Sequence, residues 1–460
     1  MTIQNDFRPA LAALVACPRC SRAPLAEGDD GFHCRHCRTR FPLIGGLPCL
    51  YPDPDAALGA WRGRLHAELR RLQHEARGLD EALKDRTLSG PSRQRLELLR
   101  DADRQHHDAL RDLLAPLLAG HPAAGHETYT ALGVRPVVDQ GLMTYESNVH
   151  RDWCWGEEEN ARSAELVASL LPSGGAPQRM LVLGAGAGRL ARDLHERFGC
   201  TLTVALDFNP LLTMIAARMY RGESLAWREF PIAPRTLADQ APLRTLSGPP
   251  APPGLVAVLG DALQAPFAQG SFDAVLTPWA FDILPDPPAQ LAARINRLLG
   301  PDGHWFNFGS LNFSHADPAL RLGLEETLLT VESAGFHAPA VLEAELPYLC
   351  SPASRHGRRE QVVAFCARRR NSVPAPPRPR ALPAWLDGRE PVPRLPHFEL
   401  QSLTTRVHLL IMELIDGRRT IAEMAQQLEA RQLMPRAEAE PAIRTFLQRL
   451  FEESEQERRY

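Results

Sequence analysis

Apolar residues follow three different rhythms along this chain. Between Asp53 and Leu118, leucines such as Leu65, Leu69, Leu72 and Leu79 recur at helical spacing in a very polar background. The stretch "LSGPS" at 88–92 interrupts them, which predicts a hairpin of two long helices over 53–125, packed by its leucine face on the next domain. Over 126–370, short apolar runs alternate with amphipathic stretches: "MLVL" (180–183), "LTVALD" (202–207), "VAVLGDA" (256–262), "SFDAVLTPWAFD" (271–282) and "LAARINRLLGPDGHWFNFG" (291–309). That alternation predicts a largely parallel sheet covered by helices on both faces. Residues 371–396 are so rich in proline that they predict an extended linker. The last segment, 397–460, centres on "VHLLIMELIDGRRTIAEMAQQL" and reads as helix, Asp-Gly turn, helix.

Length and composition narrow the picture. A chain of 460 residues has room for two or three domains. At 44% hydrophobic and 23% charged residues with a net charge of −3, it has no electrostatic reason to bind nucleic acid or an anionic membrane strongly. No apolar run reaches the roughly 18 residues of a membrane-spanning helix, so a soluble protein is expected. Of nine cysteines, five are scattered (Cys49, Cys154, Cys200, Cys350, Cys366), which points to a reducing cytoplasm. The other four form two knuckles, Cys17-Pro-Arg-Cys20 and Cys34-Arg-His-Cys37, thirteen residues apart. Each two-residue gap lets both thiolates reach one tetrahedral ion, so residues 1–52 are expected to form a zinc ribbon with a structural Zn2+; two disulfides are the alternative. With the following "FPLIGGLPCLYP", the segment resembles zinc ribbons that precede some RNA methyltransferases or serve them as partner subunits.

The run "MLVLGAGAGRL" stops at Gly184, Gly186 and Gly188 with Arg189 behind them, on a strand-turn-helix. Such a loop opens a dinucleotide site, a methyl-donor site or only a tight turn. The next strand ends at Asp207, twenty-one residues beyond Gly186, where a carboxylate can accept hydrogen bonds from both ribose hydroxyls of either cofactor. Asp261, followed by Ala262, ends a third strand and is placed to meet an adenine amino group.

The downstream succession of strand-Gly-Asp, Phe-Asp-x-Val and Leu-Leu-x-Pro-x-Gly is similar to class I S-adenosylmethionine-dependent methyltransferases and not to dehydrogenases. The resemblance implies an α/β Rossmann-like fold with a mostly parallel seven-stranded sheet, in which "EQVVAFCARR" (360–369) would be the antiparallel edge strand. "HRDWCWGEEE" (150–159), "VLGAGAGRLARDL", "REFPIAPRTLADQ" (228–240), "TPWAFDILPD" and "WFNFGSLNFSH" (305–315) together resemble the carnosine N-methyltransferase family, in order over about 140–370. That resemblance implies cofactor contacts at Asn148 (glutamine in the family), Arg151, Gly184, Gly186, Gly188, Arg189, Asp207 (glutamate in the family), Asp261 and Ala262. It implies that Asp282 holds a substrate imidazole, with Asn312, His315 and Tyr348 as further substrate contacts. A carboxylate accepting one ring N–H would fix the tautomer and balance the charge that develops on methylation.

The chain departs from the family where the substrate would bind. The family's Gly-Pro-Leu-Leu-Tyr-His is here Gly309-Ser310-Leu311-Asn312-Phe313-Ser314-His315, and Arg358 and Arg359 replace a tyrosine run. The C-terminal segment resembles the winged-helix peptide carriers of quinone-cofactor and ribosomal-peptide biosynthesis through an Asp-Gly-x-x-Thr step; a dimerisation or lid domain is the alternative. The expected function is N-methylation of an imidazole-like nitrogen in a small molecule or peptide. An RNA methyltransferase and a non-catalytic cofactor-binding adaptor are the alternatives. A nucleic-acid partner is not expected, since Thr277-Pro278-Trp279-Ala280 replaces the Asn-Pro-Pro-Tyr type of base-flipping motif.

Overall fold

The four residues Met180–Leu183 of β5 (Arg179–Leu183) are all buried, the burial expected of a parallel strand covered on both faces. The same holds throughout β6 (Leu202–Asp207) and β9 (Leu255–Gly260). The structure, a computed structural model, describes residues 8–119, 141–172, 176–315, 317–376 and 391–457. With β10 (Phe272–Pro278), β11 (Leu299–Gly309), β12 (Ala340–Tyr348) and β13 (Arg358–Arg368), the order is β9-β6-β5-β10-β11-β13-β12. Pairing is parallel from β9 to β11, and β13 runs antiparallel between β11 and β12. The antiparallel strand expected at the edge therefore lies one place inside it. The edge is β12, whose sequence "AVLEAELPY" has no continuous apolar run, since Glu343, Glu345 and Pro347 interrupt it.

Seven strands are not the whole sheet. The N-terminal strands β1 (Ala26–Gly28), β2 (Gly31–His33), β3 (Arg40–Ile44) and β4 (Leu47–Leu50) extend it to eleven, because β4 pairs in parallel with β9 through Cys49↔Leu259 and Leu50↔Gly260. Backbone bonds from Ala16 N–H to Pro266 O and from Ala268 N–H to Leu14 O, both 2.8 Å, fasten the same segment to the loop after β9. The residues expected to form a separate ribbon thus continue the central sheet, and Met1–Pro376 is one compact unit.

The helical hairpin forms as expected, from Pro54–Ala82 and Gly90–Leu113, each N-capped by a side chain, Asp53 and Ser89. Leu58, Trp61, Leu65, Leu69 and Leu72 of one helix and Leu110 and Leu113 of the other join the cluster that contains Met180, Val182 and Ala205 of the sheet. The expected boundary at 125–126 lies outside the described residues. An unexpected two-stranded ladder, β7 (Leu225–Arg228) and β8 (Leu243–Leu246), carries the insertion between them.

Among the described residues the second unit holds three helices, Pro396–Glu413, Ile421–Ala430 and Arg436–Glu457, around Ile411, Leu414, Met424, Ala425, Leu428, Ala439 and Ile443. Asp416 Oδ1 accepts the N–H groups of Arg418 and Arg419, and Thr420 with Glu423 forms a capping box, so the Asp-Gly turn is built as read. Among the described residues this unit has no strand. Residues 371–376 and 391–395 are irregular, and 377–390 of the expected linker lie outside the described residues.

Because hairpin and sheet share one core, Leu110→Ala is expected to cost about 2–5 kcal/mol. Denaturant unfolding followed by far-UV dichroism and by tryptophan fluorescence should give one coincident, earlier transition. A separate early phase for the hairpin would show it to be an independent unit.

Candidate functional site

The glycine loop between β5 and helix Arg189–Phe198 owes its three glycines to different constraints. All three have left-handed backbone, with φ of 74° at Gly184, 58° at Gly186 and 87° at Gly188. A Cβ at Gly188 would lie 2.2 Å from Tyr220 Oη and 2.9 Å from Ala216 Cβ, so helix Pro210–Tyr220 packs against bare backbone. A Cβ at Gly186 would meet nothing within 4 Å, which leaves that point of the loop open to a ligand. Asp207 reaches back from β6: its Oδ2 accepts Gly186 N–H and its Oδ1 accepts Asn209 N–H, both at 2.8 Å. Burial raises the Asp207 carboxyl above its ordinary value while these amides act in the opposite sense.

Asp261 follows β9 and accepts Leu263 N–H at 2.8 Å, opening the turn Ala262–Gln264; burial raises its carboxyl as well. The N-terminal segments brace both acids from behind. Tyr51 donates a hydrogen bond to Phe208 O, and the Trp61 ring lies 5.8 Å from that of Phe208. A bridge between Val15 and Phe267 holds the loop beyond Asp261.

The Arg-Asp-Trp motif closes the other side. Residues Arg151–Trp155 form a π-helical turn after helix Glu146–His150, and Trp153 donates its indole N–H to Ala187 O at 2.7 Å, inside the glycine loop. Arg151 pairs with Asp152 at 2.8 Å and Glu159 at 3.2 Å, and Glu159 in turn accepts Leu349 N–H at 3.0 Å. Asn148, partly exposed, lies on the helix just before this turn. Arg189 is held by Asp193 and Glu157, each at 2.8 Å, and lies over the Trp153 ring. Each arginine thus pairs with one carboxylate of its own helix, Asp152 or Asp193, and with one from helix Glu157–Ser169, Glu159 or Glu157.

Three non-glycine residues with left-handed backbone, Trp279, Leu311 and Leu349, each at φ 51°, follow β10, β11 and β12. Such residues are uncommon and cost about 1–3 kcal/mol each. Their concentration at the carboxyl ends of parallel strands marks the edge where open α/β sheets bind ligands. Trp279 N–H donates to Phe308 O at 2.6 Å, and its ring lies 4.7 Å from that of Tyr348, over which Arg358 is stacked at 4.5 Å. Asp282, 7% exposed, accepts Asn312 N–H at 2.6 Å and the Ser310 hydroxyl at 3.2 Å, both on Oδ2. No described residue donates to its Oδ1. His315 takes Asp317 N–H on Nδ1, so Nε2 carries the proton and donates to Pro285 O at 3.2 Å. Both ring nitrogens of His315 therefore serve to join two loops. Asn312 contributes its backbone and exposes its side chain.

Several residues that shape this edge were not marked by the sequence. Trp153 was visible only as part of a motif, and nothing in "TPWAFD" reveals the backbone of Trp279. Glu146 is a third case. Its Oε1 accepts Trp227 Nε1–H at 2.7 Å and lies 3.2 Å from Nε2 of His106, a hairpin residue. Burial pushes Glu146 up to about 8 and His106 down to about 3, so the pair is uncharged at neutral pH.

The four knuckle cysteines converge. Their sulfurs lie within 4.8 Å of one another, with Cys17–Cys37 at 3.5 Å and Cys20–Cys34 at 3.6 Å. Tetrahedral thiolates at the usual Zn–S length of about 2.3 Å would stand roughly 3.8 Å apart, so the set fits one ion. Both knuckles have the same backbone: Ser21 and Arg38 are left-handed and donate to the carbonyls of Cys17 and Cys34.

Two segments of the chain match known families. Residues 181–306 match the methyltransferase domain family, and residues 409–454 match coenzyme PQQ synthesis protein D. Similar solved structures include a methyltransferase from Thermotoga maritima, named as a possible histamine N-methyltransferase (16% identity, 48% of this chain and 92% of that one, TM-score 0.29). Another is phosphoethanolamine N-methyltransferase 2 of Haemonchus contortus with S-adenosyl-L-methionine (14%, 50% and 58%, TM-score 0.32). A third is a Haloferax volcanii complex between the Trm112 methyltransferase activator and a methyltransferase (16%, 50% and 97%, TM-score 0.33). No curated protein matches the chain. Among the described residues, no helix is long and apolar enough to cross a membrane.

The raised Glu146 carboxyl has a consequence for stability. An unfolded chain ionises this group near its ordinary 4.5, whereas the folded protein keeps the proton up to about 8. Its contribution is therefore fully present below 4.5 and is lost as pH rises through about 8. Glu146→Gln, which cannot ionise, is expected to gain stability relative to the natural protein between about pH 5 and about pH 8, read by urea unfolding. A difference that does not change with pH would mean that Glu146 is already ionised.

Proposed function

We propose that this S-adenosylmethionine-dependent methyltransferase is an N-methyltransferase of an imidazole-like nitrogen in a histidine-containing small molecule or peptide. The observation that carries the reading is Asp282: a buried carboxylate beyond β10 whose Oδ2 is fixed by Asn312 and Ser310 while no described residue donates to Oδ1. S-adenosylmethionine supplies an electrophilic methyl group. The chain has to hold a neutral nitrogen in line with it. Imidazole, largely neutral at pH 7, offers a lone pair on one nitrogen and an N–H on the other. Asp282 Oδ1 accepting that N–H would choose the tautomer, face the lone pair to the methyl group and balance the positive charge as the N–C bond forms and the S–C bond breaks. Gly184, Gly186 and Gly188 bring bare backbone to the donor, Asp207 holds its ribose, and Asp261 with Ala262 meets its adenine. Asn148, Arg151 and Arg189 stand on the methionine side, the two arginines through the ion pairs that fix the Arg-Asp-Trp turn. Tyr348 supports the acceptor from β12, while Asn312 and His315 shape the loop beside Asp282. The Asp416-Gly417-x-x-Thr420 step of the C-terminal unit resembles that of peptide carriers, which suits a peptide acceptor.

Labelled methyl transfer to a panel of histidine dipeptides and longer histidine peptides tests the reading. Product should form, and Asp282→Asn should lower kcat/KM by about a hundredfold with S-adenosylhomocysteine binding unchanged. Absence of product, or an unaffected variant, removes the imidazole assignment. Salt-dependent binding to RNA would favour the RNA methyltransferase reading instead.

The four converging thiolates support a structural Zn2+ held by Cys17, Cys20, Cys34 and Cys37. Metal analysis of the purified chain should give about one zinc per chain, and a strong chelator should lower its melting temperature. Because β4 pairs with β9 one residue before Asp261, cofactor affinity should fall in parallel. Zinc-free protein with unaltered melting and binding would assign the knuckles another role.

A further inference from the structure

The segment Leu142–Glu146 is held between two anchors. At one end Asn209, two residues beyond Asp207, donates its side-chain N–H to Leu142 O at 3.0 Å. At the other, Glu146 is held by the Trp227 indole and lies against His106. Between them stands Tyr145, half-buried against the main core cluster. It lies within electrostatic range of Tyr348, Asp207 and Asp282. Those groups stand at or just beyond the ends of β12, β6 and β10, strands kept apart in the sheet by β5, β11 and β13. A side chain near groups on three separated strands stands at their shared carboxyl edge, the edge from which the glycine loop also leaves β5.

That position has a specific meaning if Asp207 holds the ribose and Asp282 the acceptor, as argued above. The sulfur of the methyl donor is bonded to the ribose carbon on one side and carries the departing methyl group on the other, so it lies between the two acids. We propose that the aromatic ring of Tyr145 roofs the methyl-transfer crevice and contacts the sulfonium of bound S-adenosylmethionine. An electron-rich ring face attracts a cation, and the two neighbouring carboxylates favour the same charge. S-adenosylhomocysteine lacks that charge, so the ring would hold the donor more firmly than the spent product. Burial and the nearby groups keep the Tyr145 phenol above its ordinary value, hence protonated, so no phenolate is required.

The test is calorimetric binding of S-adenosylmethionine and S-adenosylhomocysteine to the full chain and to Tyr145→Phe, Tyr145→Leu and Tyr145→Met, with melting curves to confirm folding. Tyr145→Phe should keep the natural ratio of the two affinities. The aliphatic variants should lower the preference for S-adenosylmethionine by about fivefold, while S-adenosylhomocysteine changes by less than about twofold; either variant suffices should the other not fold. An equal loss for both ligands, an unchanged ratio in the aliphatic variants, or loss of the preference in Tyr145→Phe overturns the proposal. Asp207→Ala in the same series separates the two assignments. If it leaves S-adenosylhomocysteine binding unchanged, the ribose assignment fails, whatever Tyr145 does.

Discussion

One hydrogen bond, from Gly186 N–H to Asp207 Oδ2 at 2.8 Å, sets the geometry on which the site depends. It ties the loop after β5 to the end of β6, and the amides of Gly184 and Ala185 add two bonds to Leu206 O, at 2.9 and 3.0 Å. The loop is then held from two further sides. Tyr220 donates to Gly188 O where any side chain on that glycine would collide, and Trp153 donates to Ala187 O. A loop fixed in this way presents its open point, Gly186, without a ligand to shape it, and binding energy is not spent on ordering it.

The same logic extends to the N-terminal third of the chain. Without β4, β9 would be an exposed sheet edge with unpaired backbone groups, a template for unwanted pairing. The two β4–β9 registers cover that edge at the step before Asp261. The hairpin does the equivalent at the other acid, where Trp61, together with Tyr51 just before it, packs on and bonds to Phe208. His106 of the second hairpin helix reaches Glu146, beside Tyr145. Segments that read as separate units with no catalytic residues are structural parts of the crevice walls.

What the sequence made legible was local. The buried strands, the glycine turn, the hairpin with its capped helices and the Asp-Gly turn each follow from spacing or backbone preference within about twenty residues. Pairings between distant segments were not legible. Nothing in "LPCL" says that it will lie beside "LVAVLG", because the pattern of a strand tells which of its faces is buried and not which distant strand becomes its neighbour. The edge strand β12 was missed because half of it faces solvent. For the site, the acids at strand ends could be placed from motif order, but the role of His315 could not, since it depends on which groups its two nitrogens meet.

His315 is a fastening of the loop beyond β11. Its ring joins Pro285 to Asp317, and Phe313 is packed on Phe281 with centroids 5.6 Å apart, so the loop's aromatic and imidazole groups are spent on holding the loop itself. The backbone beside them is left-handed at Trp279 and Leu311. Strain retained in this way is better explained by where it puts side chains. Trp279 is turned against Phe308 and Tyr348, with Arg358 stacked beyond, in place of the tyrosine run expected there. The result is an indole–phenol–guanidinium wall at the carboxyl edge of the sheet, with Asp282 three residues beyond its indole.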